Sequence, residues 1–305
     1  MNSYDLIIIG GGPAGLTAGL YASRAKLKTL LIEKKAAGGQ IATTEHIENY
    51  PGFAQGSGQE LVKIMEEQAA RFGAEFLAAG ATAVDFSAQE KIITTGKGEF
   101  RAPAVIIATG CSARRLEVPG EKEFIGRGVS FCATCDGAFY EDLPVMVVGG
   151  GDAAVEEALY LTRFVEKVYL VHRRDALRAT KIVQDRVFNN PKIEVVWNSV
   201  VEELQGDELL ERVVVRNVKD GRKTEIAVNG IFIYIGFLPN TGFLAGQIRL
   251  NESGYVVTDD RMETSVPGVF AAGDCREKLL RQVVTATGDG ATAAFAVEKY
   301  LENLR

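Results

Sequence analysis

The segment Phe131-Cys132-Ala133-Thr134-Cys135-Asp136-Gly137 sets two thiols three residues apart, with a carboxylate directly behind them. A C-x-x-C spacing serves either zinc or redox chemistry. Zinc takes about four ligands, commonly from a second such pair or from two histidines. The chain has only His46 and His172, and its remaining cysteines, Cys111 and Cys275, stand alone. No metal site is expected, and the spacing predicts a disulfide that opens and closes. In such a pair one thiolate attacks an incoming disulfide and the other resolves the mixed disulfide. Asp136 is placed to give a proton to a departing thiolate or to take one from a thiol; Asp136-Gly137 is equally a turn signal. Cys111 and Cys275 each follow an apolar run and read as buried structural thiols.

Electrons must reach that pair, and the elements able to deliver them occur twice. Tyr4 to Ile9 is a short apolar, β-branched run that enters Gly10-Gly11-Gly12-Pro13-Ala14-Gly15, a helical pattern and a second strand at Thr29 to Ile32. The same plan returns at Val145 to Val148, Gly149-Gly150-Gly151-Asp152-Ala153-Ala154, a helical stretch to Phe164 and a strand at Val168 to Val171. Each half carries G-x-G-x-x-G/A between a strand and a helix. Gly10 and Gly149 permit the turn, Gly12 and Gly151 admit a pyrophosphate, and Gly15 and Ala154 let helix and strand close up. Free N–H groups at each helix start then hold phosphate. Glycine turns of this kind also serve packing alone, but two in register predict two dinucleotide sites.

The end of the second strand selects the dinucleotide. In the first half it is Glu33, a carboxylate suited to ribose hydroxyls and repelling a 2′-phosphate. In the second half it is His172-Arg173-Arg174, with Arg178 following. Guanidinium groups pair with phosphate in a fork, so this turn asks for NADPH, unless the arginines are a solvated cluster. One acidic and one basic site predict a flavoenzyme reduced by NADPH.

Composition agrees. A net charge of −6 gives no footprint for nucleic acid, and no apolar run reaches the roughly 20 residues that span a bilayer. The first residues, Met1 to Asp5, hold neither a basic stretch nor a cleavage site; the expectation is a cytoplasmic protein without membrane partners.

Over essentially its whole length the chain resembles the bacterial-type, low-molecular-weight thioredoxin reductases. The resemblance rests on Gly10 to Gly15, Gly38-Gly39-Gln40, Glu48-Asn49-Tyr50-Pro51-Gly52, Ala108-Thr109-Gly110, Cys132 to Gly137, Gly149 to Ala158 and His172-Arg173-Arg174. It continues through Thr264 to Gly268, Ala272-Gly273-Asp274 and Arg281-Gln282. It implies an α/β protein of two Rossmann-like three-layer domains, the NADPH domain (114–245) inserted into a discontinuous FAD domain (1–113 and 246–305). Asp274 would hold the ribityl chain of FAD, and Asn49, Arg281 and Gln282 would lie near the flavin. A helix over Gly290 to Leu304 would aim its N-terminus at the flavin, where a positive helix end favours the anionic reduced form.

By the same resemblance Cys135 faces the flavin and Cys132 attacks thioredoxin or a thioredoxin-like protein, with Arg127 and Phe139 as contacts. Phe139 reads equally well as core, and Ala138 stands where some relatives carry an aromatic. Domain rotation about Arg114–Val118 and Thr241–Gln247 and a homodimer are also implied. Two other readings of the fold, a ferredoxin-linked reductase and a dithiol oxidase passing electrons to oxygen, generally lack the basic turn. The flavoprotein subunit of alkyl hydroperoxide reductase adds an N-terminal redox domain, whereas this chain enters the first nucleotide-binding strand at once. A nucleotide-sensing protein that merely keeps the fold would not need Cys132, Cys135 and Asp136.

Overall fold

The computed structural model describes residues 2–34, 36–43, 47 and 49–304, with the side chains of Asn2, Thr43 and Cys135 outside the description. His46 and Glu48 fall outside it too. The chain divides into two compact units, Met1–Ser112 with Leu238–Arg305, and Ala113–Phe237.

In the first unit five parallel strands stand in the order Val269–Ala271, Ala104–Ile107, Leu6–Ile9, Thr29–Glu33, Glu75–Ala78. Alternate residues of a strand point to opposite faces, and both faces here are apolar. Leu6, Ile8, Leu31 and Ile106 meet the helices Pro13–Arg24, Gly58–Arg71 and Val283–Glu302. Ile7, Ile9, Ile32 and Ile107 meet Val84, Ile93 and Phe100, which belong to a second, smaller sheet (Asn2–Ser3, Gly98–Ala102, Lys91–Thr95, Ala81–Asp85). Continuous rather than alternating hydrophobicity follows from being covered on both sides.

The second unit repeats the plan. Its parallel sheet runs Val129–Ser130, Gly230–Tyr234, Pro144–Gly149, Lys167–Val171, Ile193–Val196. Val145, Val147, Leu170 and Phe232 meet the helices Asp152–Leu161 and Lys181–Phe188. Met146, Val148, Ile231 and Ile233 meet Val201, Val213 and Val215 of a three-stranded antiparallel sheet. No helix among the described residues is long and apolar enough to cross a membrane.

Two expectations change. The second boundary falls at 237/238 rather than 245/246. Thr241 and Leu244, 2% and 0% exposed, sit in the first unit, where Leu244 packs with Ile7 and Ile248 and Gln247 accepts the Phe86 amide at 3.2 Å. Thr241–Gln247 is thus body rather than link. The last helix also begins at Val283, not Gly290. A Cβ on Gly290 would lie 2.2 Å from the Ala14 carbonyl oxygen, so this glycine marks the close crossing of two helices instead of a helix start. Gly290→Ala should therefore destabilise the protein by about 2 kcal/mol, although alanine favours a helix by about 1 kcal/mol. Thermal unfolding reads the difference; a raised Tm would mean that the helices separate at no cost.

Candidate functional site

The first glycine turn is shaped by contacts that leave one face open. Gly10 has φ 114°, a region that favours glycine, and a Cβ there would lie 2.2 Å from the Ala108 carbonyl oxygen. A Cβ on Gly15 would meet the Gly10 carbonyl oxygen at 1.9 Å. Gly12 is different. It caps the helix Pro13–Arg24, and a Cβ there would find nothing nearer than 3.9 Å. The described residues do not fill the space over Gly12, at the helix end that attracts phosphate.

Around this turn the structure gathers most of the residues expected with it. Glu33, at the end of its strand, accepts the Gly11 amide through Oε2 at 2.7 Å. The Gly38 amide donates to the Gly11 carbonyl at 2.7 Å, and Gly39 lies against Gly12. Gln40 donates to the Cys111 carbonyl at 2.8 Å, just past Ala108-Thr109-Gly110. Asn49 donates to Gln282 at 3.3 Å, and Gln282 caps the last helix. Gly273 abuts Ala14, which brings Asp274 to the same end of the sheet.

Asp274 Oδ1 and Arg281 Nε are buried without a hydrogen-bond partner among the described residues. Burial pushes the Asp274 carboxyl above its ordinary range, with Lys278 and Arg281 pulling it back. Unsatisfied buried polar atoms are costly unless something else meets them. A polyhydroxyl chain and a pyrophosphate have the complementary groups, so the residues present fit FAD. Asp289, which sequence reading passed over, secures this loop: its Oδ2 accepts the Gly273 amide at 3.0 Å and Lys278 Nζ at 2.7 Å. The one signal for it is a carboxylate set between glycines in an otherwise small-residue helix.

The second turn follows the first. Gly151 caps the helix Asp152–Leu161, and a Cβ there would meet nothing within 4 Å. Ala154 is buried and would touch any Cβ placed on Gly149, while Ala153 is exposed on the first helical turn. Asp152 accepts the Thr180 amide at 2.7 Å and Gly150 accepts the Arg178 amide at 2.6 Å, which fixes the basic loop beside the glycines.

Arg173, Arg174 and Arg178 are exposed and make no ion pair among the described residues. Their acidic neighbour, Asp175, is tied to Lys219 at 3.1 Å. Three unpaired guanidinium groups suit an outside anion. His172, expected to face the nucleotide, is 5% exposed, edge-on to Trp197, and its Nδ1 occupies the space a Cβ on Gly150 would need. Burial lowers its basicity, with Arg178 and Arg174 pushing the same way. A neutral ring under the loop supports the turn.

The cysteine segment is a single helical turn, Ala133–Asp136, leading into Gly137–Tyr140. Cys132 is disulfide-bonded; the side chain of Cys135 lies outside the described residues. Cys132 Sγ stands 3.3 Å from Thr134 Oγ1. The Ala133 amide donates to the Tyr234 hydroxyl oxygen at 2.8 Å, pinning the turn to the strand Gly230–Tyr234. Burial raises the Tyr234 pKa far above its ordinary value, with Glu157 adding to it, so this phenol stays protonated.

Asp136 is half-buried and accepts the Ser130 hydroxyl at 2.6 Å. It therefore ends the turn and also aims a carboxylate beside Cys132. A recess of about 300 Å³ opens next to it, lined by Arg127, Phe139, Tyr140, Leu143 and Leu209 among others. Phe139 is 79% exposed, which removes the core reading. Cys111 and Cys275 are free and buried; burial pushes the Cys111 thiol up to about 12, and Cys275 moves in the same direction.

A chain built twice on the nucleotide-binding plan, with an oxidised cysteine on one copy, is of the class that moves electrons between a dinucleotide and sulfur. Comparison with known proteins narrows the class. The family model of the pyridine nucleotide-disulphide oxidoreductases matches residues 4–290. A thioredoxin reductase of Peptoclostridium acidaminophilum is 51% identical over 99% of this chain and 98% of its own length. One from Bacillus subtilis is 51% identical over 99% and 96%. The crystal structure of Lactococcus lactis thioredoxin reductase superposes with a TM-score of 0.96 at 48% identity, covering 98% of this chain and 99% of that one. The chain belongs to the pyridine nucleotide-disulphide oxidoreductase family, in its thioredoxin reductase branch, and is an oxidoreductase.

Proposed function

We propose that the protein carries electrons from NADPH through FAD to the Cys132–Cys135 disulfide and on to thioredoxin or a thioredoxin-like protein. The observation that carries this reading is the set of unpaired arginines, Arg173, Arg174 and Arg178, fixed beside the open helix start at Gly151 in the unit that bears Cys132. A ferredoxin-fed reductase or an oxygen-fed dithiol oxidase has no use for such a phosphate site.

In this reading the unit Ala113–Phe237 holds NADPH and the rest of the chain holds FAD. Gly10, Gly12, Pro13, Ala14, Gly15, Gly39 and Gln40 cradle the FAD pyrophosphate, Glu33 its ribose and Asp274 its ribityl hydroxyls. Asn49, Ala108 to Gly110, Arg281 and Gln282 border the flavin, and Gly149, Gly151, Asp152, Ala153 and Ala154 receive the NADPH pyrophosphate. FAD, when bound, supplies two-electron exchange between nicotinamide and disulfide. Cys132 then attacks the partner disulfide, Asp136 protonates the departing thiolate, and Cys135 displaces the mixed disulfide so that the Cys132–Cys135 bond re-forms. Arg127 and the exposed Phe139 border the recess where the partner docks. A homodimer and a cytoplasmic location belong to the same reading and rest on the family resemblance; light scattering of the purified protein tests the first.

The direct test is anaerobic NADPH oxidation with and without thioredoxin. Turnover that requires thioredoxin supports the relay. Flavin bleaching without turnover points to another disulfide partner, and no bleaching removes NADPH as donor. For the FAD site, Asp274→Ala should weaken FAD binding about 10- to 100-fold, the range of a hydrogen bond to a charged group. Flavin content after gel filtration and titration of the apoprotein measure it; unchanged retention would dissociate Asp274 from the cofactor.

A further inference from the structure

Ser130 has no place in the reading above, yet it joins the two groups on which thiol exchange depends. It ends the short strand Val129–Ser130, paired through Ser130 with Phe232, and is 4% exposed. Its hydroxyl donates to Asp136 Oδ2 at 2.6 Å and accepts the Cys132 amide at 3.0 Å. The Cys132 carbonyl lies 3.2 Å from the same oxygen. A contact of 2.6 Å is in the range of a hydroxyl bonded to a charged carboxylate.

A hydroxyl has one proton and two lone pairs. While Asp136 is ionised, that proton lies toward Oδ2. When Asp136 carries a proton, its own O–H can donate back to Ser130 Oγ, and the serine proton turns to the Cys132 carbonyl. The Cys132 amide remains a donor throughout. The contact thus survives both protonation states of the carboxyl group.

We propose that Ser130 is a positioning residue for Asp136: it holds the carboxyl group against the backbone of Cys132, so that acid and attacking sulfur keep their spacing through the exchange. This rests on the role given to Asp136. In the step served, the Cys132 thiolate bonds to one sulfur of the partner disulfide, the partner S–S bond breaks, and the electron pair leaves on the second sulfur. The Asp136 carboxyl group gives that sulfur its proton. The Cys135 thiolate then displaces the partner's first sulfur, which leaves as a thiolate and takes its proton from solvent, giving the Cys132–Cys135 disulfide and a reduced partner dithiol.

The test uses FAD-loaded enzyme, reduced anaerobically with NADPH and mixed with oxidised thioredoxin. Ser130→Ala should slow exchange about tenfold, part of the roughly 100- to 10,000-fold that general acid–base catalysis supplies. NADPH-to-flavin transfer in the same variant should keep its rate, which also checks that the protein has folded. Ser130→Thr, which retains the hydroxyl, should restore most of the loss. Exchange with 5,5′-dithiobis(2-nitrobenzoate), whose leaving thiolate is weakly basic and needs no proton, should be spared. The deciding comparison is the double variant: in an Asp136→Asn background, Ser130→Ala should add no further slowing, because a residue that acts through another is non-additive with it. Equal slowing in both backgrounds, or equal slowing of flavin reduction, would overturn the proposal and leave Ser130 a cap of the turn. If Asp136→Asn alone does not slow exchange, the acid role fails first, and the role of Ser130 goes with it.

Discussion

Replacing Cys132 by serine should lower thioredoxin-dependent NADPH oxidation by on the order of 1000-fold or more, while NADPH continues to bleach the flavin. Serine cannot form the disulfide in which Cys132 is held, and its hydroxyl is no nucleophile toward a partner disulfide near neutral pH. The surroundings should tolerate the change. The turn is fixed by backbone contacts, Ala133 to Tyr234 and Cys132 to Ser130, which do not involve the sulfur. Stopped-flow absorbance separates the flavin step from the exchange step. Turnover with thioredoxin at more than a few per cent of the original rate would move the exchange to another thiol. Cys111 and Cys275 are poor substitutes, since burial keeps both protonated. Cys135→Ser should be equally inactive toward thioredoxin, because the mixed disulfide then has no resolving thiol.

The second large effect is on the electron donor. Changing Arg173 and Arg174 together to alanine should raise the dissociation constant for NADPH about 100-fold and leave NADH binding nearly unchanged. A charge-assisted, forked contact to phosphate contributes about 1.5–3 kcal/mol, and exposure places two such groups near the low end of that range. Among the described residues neither arginine has an ion pair to lose, and the loop is held by Asp152 to Thr180 and Gly150 to Arg178 through main-chain donors. Thermal stability should therefore hardly change. The advantage of NADPH over NADH should also shrink as ionic strength rises, as it does for solvent-exposed charges. Titration of both nucleotides at two salt concentrations measures all of this. Unchanged NADPH affinity would reduce the basic turn to a solvated surface.

The Asp136→Asn comparison bears on both half-reactions. It should slow exchange with thioredoxin and spare the transfer from NADPH, because the carboxylate sits beside Cys132 and not at the glycine turns.

Much of this protein can be read along its sequence, where the necessary signals are local. Gly10 to Gly15 and Gly149 to Ala154 announce the two turns because strand, glycines and helix are contiguous. The C-x-x-C-D string and the basic run after Val171 are local as well. Burial on both faces of the parallel strands follows from unbroken apolar runs. What lay beyond reach depended on partners far off in the chain. Gly290 looks like a helix start until Ala14 is set against it. Thr241–Gln247 looks like a link until Leu244 meets Ile7. His172 shares a motif with the exposed arginines, yet it lies buried against Gly150, a contact 22 residues away along the chain.

The sequence by itself therefore determined the repeated strand–glycine–helix plan and the C-x-x-C pair, and set a basic run after the second of the two strands that follow those turns, since each is written in residues adjacent along the chain. Tertiary structure alone decided that Asp289 secures the loop of Asp274, that Tyr234 anchors the cysteine turn from 101 residues away, and that Ser130 binds Asp136 to Cys132. Those choices depend on which side chains a closed, close-packed fold brings within hydrogen-bonding distance, and no spacing along the chain encodes that distance.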